Sequence, residues 1–382
     1  MATATPPSPP AVIVANNMIM ENETAHVLQT CRMLEAFAAI GCDVTYLWPA
    51  YDKIVPALAR LPITLHPIRC QARYGKARYG EFLARLLSPL RRLAGGNSVV
   101  VTRSLGVALV GQLVSRRLVL ELHRDLKAGA RLAAPLLTRR VYWVGISGNL
   151  REHIISVYGV PAAQAAACHD AVDYPAFAKA EPLPAAERPR PATDTALVHL
   201  YYGTLRPERG LSLIATAAKA LPDHGFVLIG GTAADVAAAH AGGLDLPNVL
   251  VLPAVAHDRI PRLLRSYDSV LLPYTRDVGT HQWMSPLKLF EALASGTPAV
   301  VSNLGPIAEV VSGEHVSFID CDRPESLGEA LTALAADPAA ARKRAAAGQA
   351  RALAHHTWER RARDIITLVE SSGVENSGVE GR

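Results

Sequence analysis

The chain has 382 residues, of which half are hydrophobic and only 5% are aromatic, and its formal net charge is +5. This length suits two globular domains better than one, and no apolar run reaches the ~18 residues of a membrane-spanning helix. The five cysteines are odd in number and form no CxxC pair, which predicts reduced, mostly buried thiols in a cytoplasmic protein and no metal site. Residues 1–10 lack a charged or apolar signal region, so we expect a disordered leader.

The charge is unevenly distributed along the chain. Residues 1–180 carry 20 Lys and Arg against 11 Asp and Glu, a balance of +9, and the remaining residues have a balance of −4. A basic half indicates an anionic partner, either a lipid surface or a phosphorylated small molecule. Nucleic acid is disfavoured because no motif combines basic and aromatic residues in the way that RNA or DNA binding requires.

Residues 11–177 alternate between strand and helix patterns. Short apolar runs predict buried parallel strands at 11–15, 44–48, 98–102, 118–122 and 141–146. His123 directly follows one of these runs. Because ligands bind at the carboxyl ends of parallel strands, His123 can reach a substrate, and a purely structural role is the alternative.

Residues 69–93 form a basic amphipathic segment. It contains the tandem ARYGK and ARYGE and a leucine stripe opposite several arginines, with Glu81 as its single acid. One interpretation places this segment on an anionic membrane, with Tyr74, Tyr79 and Phe82 at the interface. The other buries the leucines in the core of the domain and leaves the arginines in solvent.

A second alternation of strands and helices begins after a proline-rich linker, residues 178–195, and covers residues 196–356. Its first strand ends at Tyr202 and leads into Gly203 and a loop with Arg206 and Arg209. Guanidinium groups bind phosphate oxygens in pairs, so these arginines are candidates for a diphosphate clamp. Two solvent-exposed loop arginines are the alternative.

The stretch SPLKLFEALASGTPAVVSNLGPIAE, residues 285–309, predicts a helix, a tight turn and a buried strand. Ser285 is expected to cap the helix and Pro286 to occupy its first turn. Lys288 lies in the first turn of the helix, where the helix dipole makes a cation unfavourable. An anion bound by the amides near Leu287 would make the charge of Lys288 favourable there. Glu291 shares that face and suits ribose hydroxyls. Alternatively, Lys288 reaches solvent and pairs with Glu291.

This stretch resembles the donor-site segment of retaining GT-B glycosyltransferases, in particular glycosyltransferase family 4. The resemblance implies two doubly wound, Rossmann-like parallel-sheet α/β domains facing a cleft. It also implies a C-terminal helix, residues 357–371, that returns to the first domain, and we expect a disordered tail at 372–382. Two residues depart from the family pattern: Trp283 stands where a first glutamate is usual, and Thr204 replaces an arginine.

The resemblance also implies roles for individual residues. His123, Arg209, Lys288 and Glu291 are the catalytic candidates. Candidate donor-binding residues are Gly203, Thr204, Arg206, Arg209, Val255, Ser285, Pro286, Leu287, Lys288 and Glu291. In the family the loop after the first strand faces the acceptor, so Asn17, Glu23 and Thr24 are acceptor candidates, although Asn22 capping the next helix explains this loop equally well.

We therefore expect a cytoplasmic or peripheral-membrane enzyme of polysaccharide or glycolipid biosynthesis. It would transfer a sugar from a UDP- or GDP-linked donor to a glycan or lipid-linked acceptor with retention of configuration, without a cofactor or metal. Asp320 and Asp322 form an Asp-x-Asp pair, but they precede a helix start and are not assigned a metal. A sugar-nucleotide epimerase of the same fold and a non-catalytic nucleotide-sugar-binding subunit are the alternatives.

Overall fold

The computed structural model describes residues 9–21, 25–51, 53–137 and 141–376. The chain divides into two compact units, Met1–His169 with Trp358–Arg382, and Asp170–Thr357. The candidates Glu23 and Thr24, the proposed cap Asn22 and most of the predicted leader lie outside the described residues. No helix in the described part of the chain combines the length and apolar character needed to cross a bilayer.

The first unit contains a seven-stranded parallel sheet with the order β3-β2-β1-β4-β5-β6-β7. Its strands are β1 Ala11–Ala15, β2 Asp43–Ala50, β3 Thr64–Arg69, β4 Val99–Thr102, β5 Leu118–Leu122, β6 Val141–Gly145 and β7 Ala165–Ala167. Its first six helices are α1 Ala25–Ala39, α2 Pro56–Ala59, α3 Gly75–Leu93, α4 Leu105–Gly111, α5 Ala128–Arg131 and α6 Gly148–Tyr158. The strands β4, β5 and β6 are buried along their whole length.

The second unit contains a six-stranded parallel sheet with the order β10-β9-β8-β11-β12-β13. Its strands are β8 Leu197–Tyr202, β9 His224–Ile229, β10 Val249–Leu252, β11 Ser269–Leu272, β12 Ala299–Ser302 and β13 Ser317–Ile319. Its helices are α7 Tyr174–Ala178, α8 Leu211–Ala220, α9 Ala233–Ala239, α10 Ile260–Leu264, α11 Leu287–Ser295, α12 Gly305–Ala308, α13 Ser326–Ala336 and α14 Pro338–His355. Two parallel-sheet Rossmann-like units of this kind make the GT-B fold, as predicted.

The strand order fixes where a ligand can bind in each unit. In each sheet the order reverses beside the first strand, β1 between β2 and β4, and β8 between β9 and β11. Loops on either side of such a reversal diverge and leave a crevice at the carboxyl ends of the strands. Asn16, Arg103 and His123 follow three of these strands in the first unit, and Gly203 and Pro273 follow two in the second.

The last helix, α15 Trp358–Asn376, belongs to the first unit, where it packs against α1. Trp358, Ala362, Ile365, Ile366 and Val369 recur at helical spacing and are buried. The helix continues five residues beyond its predicted end at residue 371, into the segment that was expected to be disordered.

Residues 170–195 lie within the second unit, although the first domain was predicted to end at residue 177. Val172 and Phe177 are 2% exposed and join its apolar core. The predicted linker is also held there, because the Leu183 amide donates to Ser266 Oγ at 2.7 Å and the Tyr267 hydroxyl donates to the Pro189 carbonyl at 2.8 Å. These two hydrogen bonds, together with the packing of Leu183 against the core, fix a segment that its proline content predicted to be a linker.

Candidate functional site

The ammonium of Lys288 lies over a glycine at the carboxyl end of the second sheet. Its Nζ is 5.5 Å from the ring centroid of Tyr202 and 5.8 Å from that of Tyr201. A Cβ atom at Gly203 would lie 1.5 Å from this Nζ, and Gly203 has a φ of +129°. The positive φ favours glycine at residue 203, and the absence of a Cβ there leaves room for the ammonium in its present position. The lysine does not extend away from the site as the alternative interpretation proposed.

Arg209 brings a second positive charge to the same place. Its guanidinium carbon is 5.4 Å from the ring centroid of Tyr274, and its buried Nε has no hydrogen-bond partner. Burial, followed by repulsion from Arg209, lowers the pKa of Lys288 to about 8, although Glu291 acts in the opposite direction. Two cations held together in a partly buried site are unfavourable unless an anion binds between them.

Glu291 is 7% exposed and faces two hydrogen-bonding side chains. The Tyr202 hydroxyl donates to its Oε2 at 2.7 Å, and His257 Nε2 lies 3.0 Å from its Oε1. Burial and the adjacent carboxylate of Glu291 raise the pKa of Tyr202 well above its usual value, so this phenol remains a donor. The ring of Phe177 meets His257 edge-on at 6.2 Å. The carboxylate is thus held in one orientation at the site.

The predicted cap of α11 is wrong. The helix begins at Leu287, with Pro286 in the capping position and no side-chain cap. The Ser285 hydroxyl instead accepts a hydrogen bond of 2.8 Å from the Asp170 amide, which fixes the segment before α7. The helix ends at Gly296, with a φ of +71°, where the sequence predicted a stop.

Three other predicted donor residues, Thr204, Arg206 and Val255, differ in their exposure to solvent. Thr204 and Arg206 are exposed, and the charge of Arg206 acts on Asp235, whose pKa is lowered by the Thr232 amide and hydroxyl and, less strongly, by Arg206. Val255 is half-buried against the apolar core of the unit.

In the first unit, His123 belongs to a charged cluster around Glu121, which is 3% exposed. His123 Nε2 and Arg103 Nε lie 2.5 Å and 2.8 Å from Glu121 Oε1, and Arg361 Nη1 lies 3.0 Å from Oε2. Burial alone would raise the pKa of Glu121, but Arg103 and Arg361 hold it well below its usual value. An ionised Glu121 accepts a hydrogen bond from the Nε2–H group of His123, which fixes the orientation of the imidazole.

His123 and Asn17 line a pocket of about 650 Å³ in the first unit. Its other charged and polar walls come mainly from the loops after β4 and β5, with Arg103, Ser104, Arg124, Asp125 and Lys127. Asn17 Oδ1 is buried in its wall and has no hydrogen-bond partner. The pocket has the volume of a small-molecule site.

The side chains that hold the candidates in place, notably Tyr202, Arg103 and Arg361, were not predicted from the sequence. Arg361 had a detectable signal, because it lies on the apolar face of α15 between Trp358 and Ile365, where a charge requires a buried partner. Tyr202 and Arg103 have no such signal, since their partners are distant in sequence.

Asp320, Cys321 and Asp322 place potential metal-ligand atoms within 4.8 Å of one another. However, Arg276 Nε lies 2.9 Å from Asp322 Oδ2, and burial raises the pKa of the Cys321 thiol, which disfavours the thiolate that binds metals. Both aspartates are also exposed to solvent, so we expect Asp320, Cys321 and Asp322 to bind a metal ion only weakly.

The sequence resembles glycosyltransferases over part of its length. A family model described as glycosyl transferase-like matches residues 208–367. The putative teichuronic acid biosynthesis glycosyltransferase TuaH of Bacillus subtilis is 28% identical over 124 residues, which are 32% of this chain and 31% of TuaH. A GDP-mannose-dependent alpha-(1-6)-phosphatidylinositol dimannoside mannosyltransferase of Mycobacterium tuberculosis is 28% identical over 188 residues, 48% of this chain and 46% of the relative. Both alignments span less than half the length of these relatives.

The fold resembles solved structures over nearly the whole chain. A glycosyltransferase from Rickettsia africae has a TM-score of 0.75 at 11% identity, covering 95% of this chain and 98% of the other. HepE of Anabaena in complex with UDP and glucose has a TM-score of 0.67 at 16% identity, covering 96% and 99%. At these identities the likeness establishes the fold.

Proposed function

We propose that this chain is a retaining glycosyltransferase of family 4 that transfers a sugar from a nucleotide-diphosphate donor to an acceptor without a metal. The observation that carries the proposal is the cluster of Arg209, Lys288 and Glu291 at the carboxyl ends of the second sheet. A diphosphate supplies the anion that the two cations need, and ribose hydroxyls supply donors for the carboxylate. The similarity to a GDP-mannose-dependent enzyme and to a structure with bound UDP supports such a donor.

The same cluster favours the chemical step. Breaking the bond between the sugar and the diphosphate increases negative charge on the leaving phosphate. Lys288 and Arg209 therefore stabilise the transition state more than the ground state, which accelerates the reaction. Retention of configuration and a positioning role for His123 follow from the family resemblance. The acceptor would be a glycan, a lipid-linked sugar or a lipid, and the cytoplasm would supply the donor.

The role of Glu291 can be tested with ribose-modified nucleotides. The wild-type protein should bind UDP or GDP more tightly than the 2′,3′-dideoxy analogue, by about 1.5–3 kcal/mol for each hydrogen bond to the carboxylate. Glu291→Ala should weaken binding of the natural nucleotide and abolish this preference in titration calorimetry. Glu314→Ala, an exposed carboxylate elsewhere in the unit, is the control. Retention of the preference in Glu291→Ala would place the ribose elsewhere.

A further inference from the structure

The walls of the first-unit pocket carry an excess of positive charge. Its two acidic side chains are Glu121 and Asp125. Glu121 forms an ion pair with Arg361, and Asp125 forms one with Arg131. Arg103 also pairs with Glu121, at 2.8 Å, and so shares that carboxylate with Arg361; the charges of Arg103, Arg124 and Lys127 still exceed what the two acids leave uncompensated. A concave surface with such an excess concentrates its field on a bound anion.

The pocket also offers an acceptor atom for a neutral group. Asn17 Oδ1 is buried in the wall without a hydrogen-bond partner. A buried acceptor of this kind is costly unless a ligand donates to it. A hydroxyl group provides that donor, whereas a phosphate oxygen is itself an acceptor.

We propose that the acceptor in this pocket is a phosphate-bearing polyol, whose phosphate binds Arg103, Arg124 and Lys127 while a hydroxyl donates to Asn17 Oδ1. The proposal rests on the proposed function, which makes this ligand the second substrate. A phosphate group carries roughly −1.5 to −2 charges at neutral pH and so matches the excess better than a neutral sugar does. The volume of about 650 Å³ accommodates a hexose phosphate or the phosphate and polyol of a lipid headgroup.

The test measures binding to the full chain at low ionic strength by calorimetry, with glucose, inorganic phosphate, glucose 6-phosphate and glycerophosphoinositol. We expect glucose 6-phosphate or glycerophosphoinositol to bind at least tenfold more tightly than glucose. Arg124→Gln combined with Lys127→Gln should weaken that binding about tenfold or more. Arg342→Gln combined with Lys343→Gln, which removes two exposed charges from α14, should not.

Further variants separate this site from the donor site. Lys288→Met should weaken binding of nucleoside diphosphates but leave glucose 6-phosphate binding unchanged, so failure of one assignment does not imply failure of the other. Asn17→Ala should lower the affinity for glucose 6-phosphate and not for inorganic phosphate.

Preferential binding of glucose 6-phosphate would identify a free phosphorylated sugar, and preference for glycerophosphoinositol would identify a lipid headgroup; both support the proposal. Equal affinity for glucose and glucose 6-phosphate would overturn it. Loss of phosphate binding in Lys288→Met but not in the Arg124 and Lys127 variant would also overturn it.

Discussion

Gly203 lies directly beside the ammonium of Lys288. Gly203→Ala would place a methyl group 1.5 Å from the present position of Nζ, so the lysine must move away. The backbone at φ +129° adds strain of about 1–3 kcal/mol. We expect the variant to fold with reduced stability and to bind nucleoside diphosphate at least about tenfold more weakly, because a charge-assisted contact is lost.

Gly313→Ala is the matched control for this substitution. Gly313 is exposed, and a Cβ there would meet no atom within 4 Å. Thermal unfolding and nucleotide titration should be unchanged in this variant. Wild-type nucleotide affinity in Gly203→Ala would show that the ammonium does not contact the ligand from its observed position.

The lowered pKa of Lys288 predicts a pH dependence for donor binding. The free protein loses this charge as the pH rises through about 8, whereas a bound diphosphate favours the charged form and raises the pKa. Affinity is therefore highest below pH 8 and falls above it, by up to about tenfold per pH unit. Titration calorimetry with UDP or GDP from pH 7 to 10 measures this fall.

A control separates Lys288 from the other titrating groups. Between pH 8 and 9 the terminal phosphate of the ligand is fully ionised and its base has not yet lost a proton, so the charge of the ligand is nearly constant there. Lys288→Met should bind weakly, with an affinity that does not vary between pH 8 and 9. A wild-type affinity that is constant from pH 7 to 10 would contradict the assignment.

From the sequence, the side chains proposed to contact the ligand could be predicted. The side chains that hold them in position could not. Lys288 stands out because a cation is unfavourable at the start of a helix. Glu291 stands out because its carboxylate can accept hydrogen bonds from ribose hydroxyls. Tyr202, 89 positions before Glu291, and Arg361, 240 positions after Glu121, become partners only through the fold. The sequence pattern around one residue carries no information about a contact with a residue 89 or 240 positions away.

Among the elements, strands with a continuous apolar pattern were predicted and those without one were missed. Val99–Thr102 and Leu118–Leu122 are buried on both faces, so composition alone indicates them. The strand Thr64–Arg69 lies at the sheet edge with exposed residues and an internal proline, and Ala165–Ala167 is only three alanines long. Neither has the composition or length that distinguishes a strand from a loop.

The basic amphipathic segment forms the helix α3. Its apolar face is buried, as one interpretation predicted, and its basic face is exposed, as the membrane interpretation requires. Phe82, Leu86 and Leu90 are fully buried, so Phe82 is not available to a membrane. The Tyr79 hydroxyl is 2.9 Å from Ser104 Oγ and accepts a hydrogen bond of 2.9 Å from the Gly106 amide, which leaves Tyr74, at 77% exposure, as the aromatic residue in solvent. The expectation for Phe82 was wrong because this side chain completes the packing of α3, whereas Tyr79 is held by its hydroxyl and stays partly exposed.

The basic face of α3 still predicts binding to an anionic membrane surface. Basic residues near an anionic leaflet contribute about 1 kcal/mol each, and salt screens this attraction. The chain should therefore sediment with anionic vesicles at low salt, but not at high salt or with neutral vesicles. Changing Arg85, Arg91 and Arg92 to glutamine should reduce sedimentation.

Changing Arg342, Lys343 and Arg363 to glutamine removes the same number of exposed charges from other helices and is the control. Equal losses in both triple variants would indicate a net-charge effect. Equal sedimentation with neutral and anionic vesicles would refute an electrostatic surface.

At the scale of the whole molecule, two Rossmann-like units each carry a charged cluster at the carboxyl ends of their sheets. The alternation of strand and helix patterns predicted both sheets, because parallel strands connected by helices produce that alternation. The boundary at residues 169 and 170 was not predictable, since Val172 and Phe177 have the same apolar character whichever core they enter. We propose that the second cluster binds a nucleotide-sugar donor and the first an acceptor.

The most direct test of this account is acceptor-dependent release of nucleoside diphosphate. Wild-type protein is incubated with UDP- and GDP-linked sugars, with and without phosphorylated-sugar and lipid acceptors and with a metal chelator present. Nucleoside diphosphate and glycosylated acceptor are then quantified by mass spectrometry. We expect both products in equal amounts only when acceptor is present, and a loss of at least about tenfold in rate for Lys288→Met. An epimerised nucleotide sugar without nucleoside diphosphate, or tight binding of donor with no product under any condition, would contradict glycosyl transfer.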